Sequence, residues 1–241
     1  MAPKVLLYDL ETSANVGYTW GLYDQTVIRF AKEWDLLSVG WKWLGGGRAQ
    51  VKTRADYKDK TDRSLTKTLW SLLDEADVVI GHNSLDFDNK KARARFAYWD
   101  LKPPSPWSDV DTCRVARSAF KFNSNKLDDL AQHLGLGRKK KTGGFDLWEK
   151  AMAGDKAALR RMGRYNRQDV TLLERVYLRL RPYIARHPNL ALQAGRKNDC
   201  PNCGSKDVVA WGKRYTQRLV RQGMRCSDCG ARYQIPYKEA A

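Results

Sequence analysis

Val5-Leu6-Leu7-Tyr8-Asp9-Leu10-Glu11-Thr12 decides the fold of this chain. The apolar run Val5 to Tyr8 reads as a buried strand, and two carboxylates follow it directly. Side chains alternate across a strand, so Asp9 and Glu11 share one face at its end. Two carboxylates on one face at a strand end form a metal-ligand geometry.

Beyond that run, Leu36 to Leu44 is rich in aliphatic residues and tryptophan before the turn Gly45-Gly46-Gly47, and Ala49 to Arg54 reads as a third strand. Leu65, Leu69, Leu72, Leu73 and Ala76 fall at helical spacing, and Val78 to Ile80 is again a buried strand. Helices are expected from Phe87 to Tyr98, from Thr112 to Ala119, and across Leu127, Leu130, Ala131 and Leu134. A longer helix covers Leu159 to Leu180, with a weak point at Gly163 and a stop at Pro182. The order of elements predicts a mixed α/β main domain over residues 1–187. Pro188 to Asp199 reads as a linker within a second segment, residues 188–241. No internal repeat is visible, and the one low-complexity feature is the basic loop Arg138-Lys139-Lys140-Lys141.

The 241 residues suffice for one core of ordinary size plus a small appendage. No apolar run approaches the roughly 18 residues of a membrane span. The sequence enters a strand too early to leave room for a signal peptide, so the expectation is a soluble cytoplasmic protein, in the host cytoplasm were it phage-encoded. The net charge of +17, from 44 Lys and Arg against 27 Asp and Glu, favours a polyanionic partner because neutralised phosphates release counterions. Nucleic acid is therefore the leading partner. A membrane surface is disfavoured, since no basic amphipathic helix with a bulky apolar face is visible.

Further carboxylates sit where strands and helices meet. Asp88 follows the Val78 to Ile80 strand within Gly81-His82-Asn83-Ser84-Leu85-Asp86-Phe87-Asp88, at a helix start. Tyr165 and Asp169 lie one helical turn apart, so phenol and carboxylate share a face about 5 to 6 Å apart at Cβ. Taken singly, each has an ordinary structural explanation: a strand-end cap, a helix N-cap, a solvated helix residue.

Together these residues resemble the motifs of the DEDD, or DnaQ-like, 3′-5′ exonucleases of the ribonuclease H fold. Asp9-Leu10-Glu11-Thr12 is similar to the first motif, and Asn83-x-x-x-Phe87-Asp88 to the second. Tyr165-x-x-x-Asp169 is similar to the third in its tyrosine form, the DEDDy branch. Arg164 stands where the histidine form needs its histidine. Asp111-Thr112 and Lys126-Leu127-Asp128-Asp129-Leu130-Ala131 add to the resemblance, which runs from about residue 4 to 180.

The resemblance implies a ribonuclease H-like mixed sheet flanked by helices. It also implies hydrolysis of phosphodiester bonds with two Mg²⁺ or Mn²⁺ ions held by Asp9, Glu11, Asp88 and Asp169. Asp9 would bridge the ions, Glu11 and Asp169 would share the ion on the side of the attacking water, and Asp88 would support the other through waters. Tyr165 would orient the water, and Thr12, Asn83 and Phe87 would lie near the 3′-terminal nucleotide. DNA, single-stranded or at 3′ ends, is the expected polymer, with a replication or recombination protein as a further partner. The rivals are an RNA exonuclease, a structure-specific nuclease of the same fold, and an inert nucleic-acid-binding module. His82 is expected to make a structural hydrogen bond, Asp111 to act behind the ligands, Asp86 to be displaced by Asp88, and Cys113 to be a buried small apolar residue. Lys139 to Lys141 either contact phosphates or form a solvated loop.

The other four cysteines form Cys200-Pro201-Asn202-Cys203-Gly204 and Cys226-Ser227-Asp228-Cys229-Gly230. Four thiolates satisfy tetrahedral Zn²⁺ completely, so this predicts one structural zinc rather than a reacting metal. The pattern resembles a zinc ribbon with strands near Val208 to Trp211, Gln217 to Arg225 and Arg232 to Ile235. From residue 191 onward, ten Lys and Arg against four Asp and Glu leave +6. Trp211, Tyr215, Tyr233 and Tyr237 are interleaved with these cations, a pattern suited to stacking bases.

Overall fold

A computed structural model describes residues 2–23, 25–59, 61–139 and 143–237. Strand β1 (Val5–Thr12) leads into a hairpin of β2 (Val16–Tyr18) and β3 (Arg29–Lys32), then β4 (Leu36–Trp43) and β5 (Gln50–Thr53). Helix α1 (Arg63–Glu75), β6 (Val78–Gly81), α2 (Asp88–Tyr98), β7 (Ser108–Asp111), α3 (Thr112–Ala119) and α4 (Leu127–His133) follow. Then come α5 (Asp146–Met152), α6 (Lys156–Leu180), α7 (Leu190–Gln193), β8 (Val208–Tyr215), β9 (Val220–Cys226) and β10 (Arg232–Pro236).

The main sheet has the order β5-β4-β1-β6-β7. β1 lies at its centre, antiparallel to β4 and parallel to β6, which is why its first residues form an unbroken apolar run with both faces covered. Val5 and Leu7 face the cluster built with Ile80, Val170, Val176 and Tyr177, under α3, α4 and α6. Leu6, Tyr8 and Leu10 face the opposite cluster with Leu69, Val79 and Phe96, under α1 and α2. Each fully buried leucine contributes about 1.5–3 kcal/mol. The mixed sheet with helices on both faces is the expected class.

β7, α6 and α7 depart from the sequence reading. β7 has the sequence Ser-Asp-Val-Asp and almost no apolar signal; parallel pairing with β6, Val78 to Gly81 against Ser108 to Asp111, makes it a strand. α6 runs unbroken through Gly163, where a Cβ would come within 2.8 Å of Thr53 Cγ2. That glycine permits close helix-to-sheet approach rather than weakening the helix. The expected linker contains α7, whose Leu190 is buried in the main core and donates its N–H to the Pro201 carbonyl at 2.8 Å. Asn202 Nδ2 also donates to the Arg181 carbonyl at 3.0 Å, so the segment is tied down at both ends.

The last three strands form a separate sheet, β10-β9-β8, whose buried apolar cluster among the described residues is only Cys200, Cys226 and Ala231. Among those residues, no helix is long and apolar enough to cross a membrane.

Candidate active site

Asp9 and Glu11 occupy the end of the central strand, and α6 packs across that strand so that Asp169 meets them. One carboxylate oxygen from each of the three lies within 4.8 Å of the others. Asn166 precedes Asp169 on α6 by just under one turn, is fully buried, and sets the arrangement. Its Nδ2 donates to Asp9 Oδ2 at 2.6 Å, and its Oδ1 accepts from Ser38 Oγ at 2.9 Å. Gly40 on β4 leaves room for this contact, since a Cβ there would sit 2.7 Å from Asn166 Oδ1. In the sequence Asn166 is marked only as an amide in the buried stripe of an amphipathic helix.

Burial shifts all three carboxyls upward, and neighbouring carboxylates add to it. Burial and then the Asp169 carboxylate push Asp9 up to about 7. Burial, followed by Asp9 and Asp169, pushes Glu11 up to about 8. Burial raises Asp169 as well, while Lys139 pulls it back, its Nζ donating to Asp169 Oδ2 at 2.6 Å. Three mutually repelling hard oxygen donors fit a divalent cation such as Mg²⁺ or Mn²⁺.

Asp88 does not join that group of three. It is the first residue of α2, nearly fully buried, and its Oδ1 accepts from the Leu10 N–H at 3.1 Å. Burial and then Asp9 hold its carboxyl well above the ordinary range. Tyr165 lies on α6 one turn before Asp169, its hydroxyl accepting from Arg161 Nε at 3.0 Å.

The three expected nucleotide contacts are spread around the acidic group. Thr12 lines a hollow with Phe145 and Trp148. Asn83 has φ of 62°, a left-handed conformation that asparagine tolerates, and its N–H donates to Asp111 Oδ1 at 2.8 Å. It shares a cavity of about 690 Å³ with Asp9, Lys126 and Lys139. Phe87 is 42% exposed, so it is not a core residue.

Asp111 also accepts from the N–H groups of Leu85 and Cys113, fixing the loop before Asp88 and capping α3. His82 is engaged at both ring nitrogens, by Thr112 Oγ1 and the Asn125 carbonyl, each at 2.9 Å. Asp86 is exposed and pairs with Lys90 and Arg114, and Cys113 is buried. Of the basic loop, Lys140 and Lys141 lie outside the described residues.

The four cysteine sulfurs also lie within 4.8 Å of one another. Burial raises the Cys200 thiol to about 11 and raises Cys203 as well, so these two resist ionisation without a cation. Four soft donors in a closed group fit zinc. Around them, Trp211 and Tyr215 are exposed, with Arg232 and Arg214 at 4.2 and 5.2 Å from the Trp211 ring. Lys213 Nζ lies 4.1 Å from the centre of the Tyr237 ring. Tyr233 instead packs on the cysteines, so it is not the open stacking ring that the sequence suggested.

No curated protein matches the chain. Among solved structures, it is similar to a family B DNA polymerase from the hyperthermophilic archaeon Pyrobaculum calidifontis, at 16% identity and a TM-score of 0.54. The match covers 76% of this chain and 26% of the polymerase, so the chain spans about a quarter of that protein's length. Likeness at this identity concerns the fold. Residues 36–181 match the RNase_H superfamily, beginning after the strand that carries Asp9 and Glu11 and including Asp88 and Asp169. Fold and family together support a metal-dependent nuclease. That match spans more than half of the sequence, over the same β4-to-α6 body that presents Asp169 to the acidic strand, and the chain therefore belongs to the RNase H superfamily.

Proposed function

We propose that the protein is a 3′-to-5′ exonuclease of the DEDDy type, acting on DNA. The observation that carries this reading is the convergence of Asp9, Glu11 and Asp169, with Tyr165 one turn away on the same helix face. Two divalent ions, when bound, neutralise charge on the phosphoryl group and on the leaving oxygen and activate a water. Asp9, Glu11 and Asp169 hold them, with Asp88 supporting from the start of α2. Tyr165 orients the attacking water through its hydroxyl, and the Arg161 guanidinium fixes that hydroxyl. Lys139, which donates to Asp169 Oδ2 at 2.6 Å, would be the cation nearest the carboxylates for a substrate phosphate.

Thr12, Asn83 and Phe87 surround the terminal nucleotide in this reading. The cysteine ribbon, holding one zinc, adds phosphate and base contacts away from the chemistry. The preference for DNA rests on the resemblance of the tyrosine form to polymerase proofreading domains.

The test is digestion of 5′-labelled single-stranded DNA, duplex DNA and RNA with Mg²⁺, with Mn²⁺ or with neither. The expected result is a ladder that shortens stepwise from the 3′ end of DNA and requires an added ion. Internal cuts appearing first would show an endonuclease, and faster loss of RNA would reverse the polymer preference.

A further inference from the structure

The hairpin of β2 and β3 has no core. Every residue in both strands is exposed, and an isolated two-stranded hairpin is marginal in water. It nevertheless presents Tyr18, Trp20, Tyr23 and Phe30 to solvent, Trp20 at 90% exposure and Tyr23 at 82%. Aromatic exposure on this scale marks an interaction surface.

Its place in the fold says which interaction. Both legs leave the main sheet at the end of β1 that carries Glu11, where Thr12 pairs with Leu36. The root is pinned: the Ser13 N–H donates to the Asp35 carbonyl at 2.9 Å, and the Trp34 N–H to Asn15 Oδ1 at 2.9 Å. Lys91 Nζ lies 3.6 Å from the centre of the Trp34 ring and 5.5 Å from that of Phe87, the residue before Asp88. Arg29 lies over Tyr18 at 5.5 Å. Aromatic faces and cations therefore run together from the acidic site into the hairpin.

The geometry points to the β2–β3 hairpin as a stacking platform for unpaired bases of a single nucleic-acid strand next to the acidic site. This inference rests on the nuclease reading of that site. Flat rings stack on any base, and adjacent cations offset backbone charge, whereas a paired duplex leaves free only the outer faces of its terminal pairs. The hairpin thus supplies a preference for single-stranded or frayed ends.

The test uses the full chain with Tyr18→Ala/Trp20→Ala, and Trp20→Phe as the variant that keeps a ring. Binding of a single strand carrying 2-aminopurine, and of a blunt duplex of equal length, is measured in Ca²⁺ across a salt series. The double variant is expected to weaken single-strand binding by about tenfold or more and to abolish 2-aminopurine quenching. Its salt slope and duplex affinity stay unchanged because no phosphate contact is lost. Trp20→Phe keeps most of the affinity, and saturating single-turnover cleavage is unaltered in both. Unchanged single-strand affinity in the double variant, with a wild-type protein that binds and cleaves, overturns the platform and leaves the nuclease reading standing. Equal loss on strand and duplex also overturns it. A wild-type protein that neither binds nor cleaves any nucleic acid overturns both.

Discussion

Asp9, Glu11 and Asp169 project from the central strand of the main sheet and from the 25-residue helix α6, whereas Cys200, Cys203, Cys226 and Cys229 hold together a sheet with almost nothing buried beneath it. Both groups bring ligand atoms within 4.8 Å of one another. The first is made of hard oxygens on a scaffold with a large core of its own, and it is internally repulsive. The second is made of soft sulfurs in a segment too small for a core, where a bound ion would supply folding energy. The same event, metal binding, should therefore serve chemistry at one end of the chain and folding at the other.

Removing one ligand from each group puts that contrast at greatest risk. Asp9→Ala or Asp169→Ala is expected to lower single-turnover cleavage by about a thousandfold or more, with no fall in thermal midpoint, because a repelled carboxylate is removed along with a proposed metal ligand. Substantial Mg²⁺-dependent cleavage by either variant would place the active site elsewhere.

Cys226→Ser is expected to do the reverse. The amide resonances of β8 to β10 should collapse to unfolded positions while those of the main sheet persist. Ending the chain after residue 195, which keeps the buried Leu190, should raise the dissociation constant for single-stranded DNA and flatten its salt dependence. Saturating single-turnover rates should change little. Equal affinities and slopes for the full and shortened chains would leave protein docking as the better reading of the ribbon.

A pH series probes the same contrast from the side of the carboxylates. Asp9 and Glu11 are raised to about 7 and about 8 by burial and then by neighbouring carboxylates. Their folded values exceed the unfolded ones, so the stability they contribute is present at low pH and lost as pH rises through 7 to 8. Zinc-loaded protein without Mg²⁺ should lose several degrees of thermal midpoint between about pH 5.5 and 8.5, and added Mg²⁺ should flatten the curve. A midpoint that rises over that range would show that these groups are not destabilised by mutual repulsion.

How far the sequence reveals this depends on the range of the signal. The β1 run and the two Cys-x-x-Cys pairs are local patterns, and the structure brings their residues together as the spacing suggests. β7 escaped because its strand character comes from pairing with β6, not from its own Ser-Asp-Val-Asp. The β2–β3 hairpin escaped because no face of it is buried, so it leaves no periodic apolar trace. Asn166 escaped because its role exists only through contacts with Asp9 and Ser38, both far away in sequence. Asn166→Ala should weaken Mg²⁺ binding by about 10- to 100-fold, the range for an outer partner of a ligand, as read from the Mg²⁺ dependence of cleavage. An unchanged dependence would make Asn166 a packing residue only.

The smallest effect is expected at Tyr165, the group that the proposed mechanism assigns to the attacking water rather than to a metal. Tyr165→Phe keeps the ring on α6 and removes only the hydroxyl that accepts from Arg161. No carboxylate among Asp9, Glu11 and Asp169 takes a hydrogen bond from that hydroxyl among the described residues, so their geometry should persist. One neutral hydrogen bond to the attacking water would be worth about 0.5–1.5 kcal/mol, which sets a loss of about two- to tenfold in kcat rather than a thousandfold. The Mg²⁺ dependence should match that of the wild type, and the loss should appear in kcat, not KM, since the water and not the substrate has lost its guide. Arg161→Ala should reproduce part of the loss by freeing the hydroxyl. If Tyr165→Phe instead shifted the Mg²⁺ dependence as Asn166→Ala does, the phenol would belong to the ligand scaffold and not to the water.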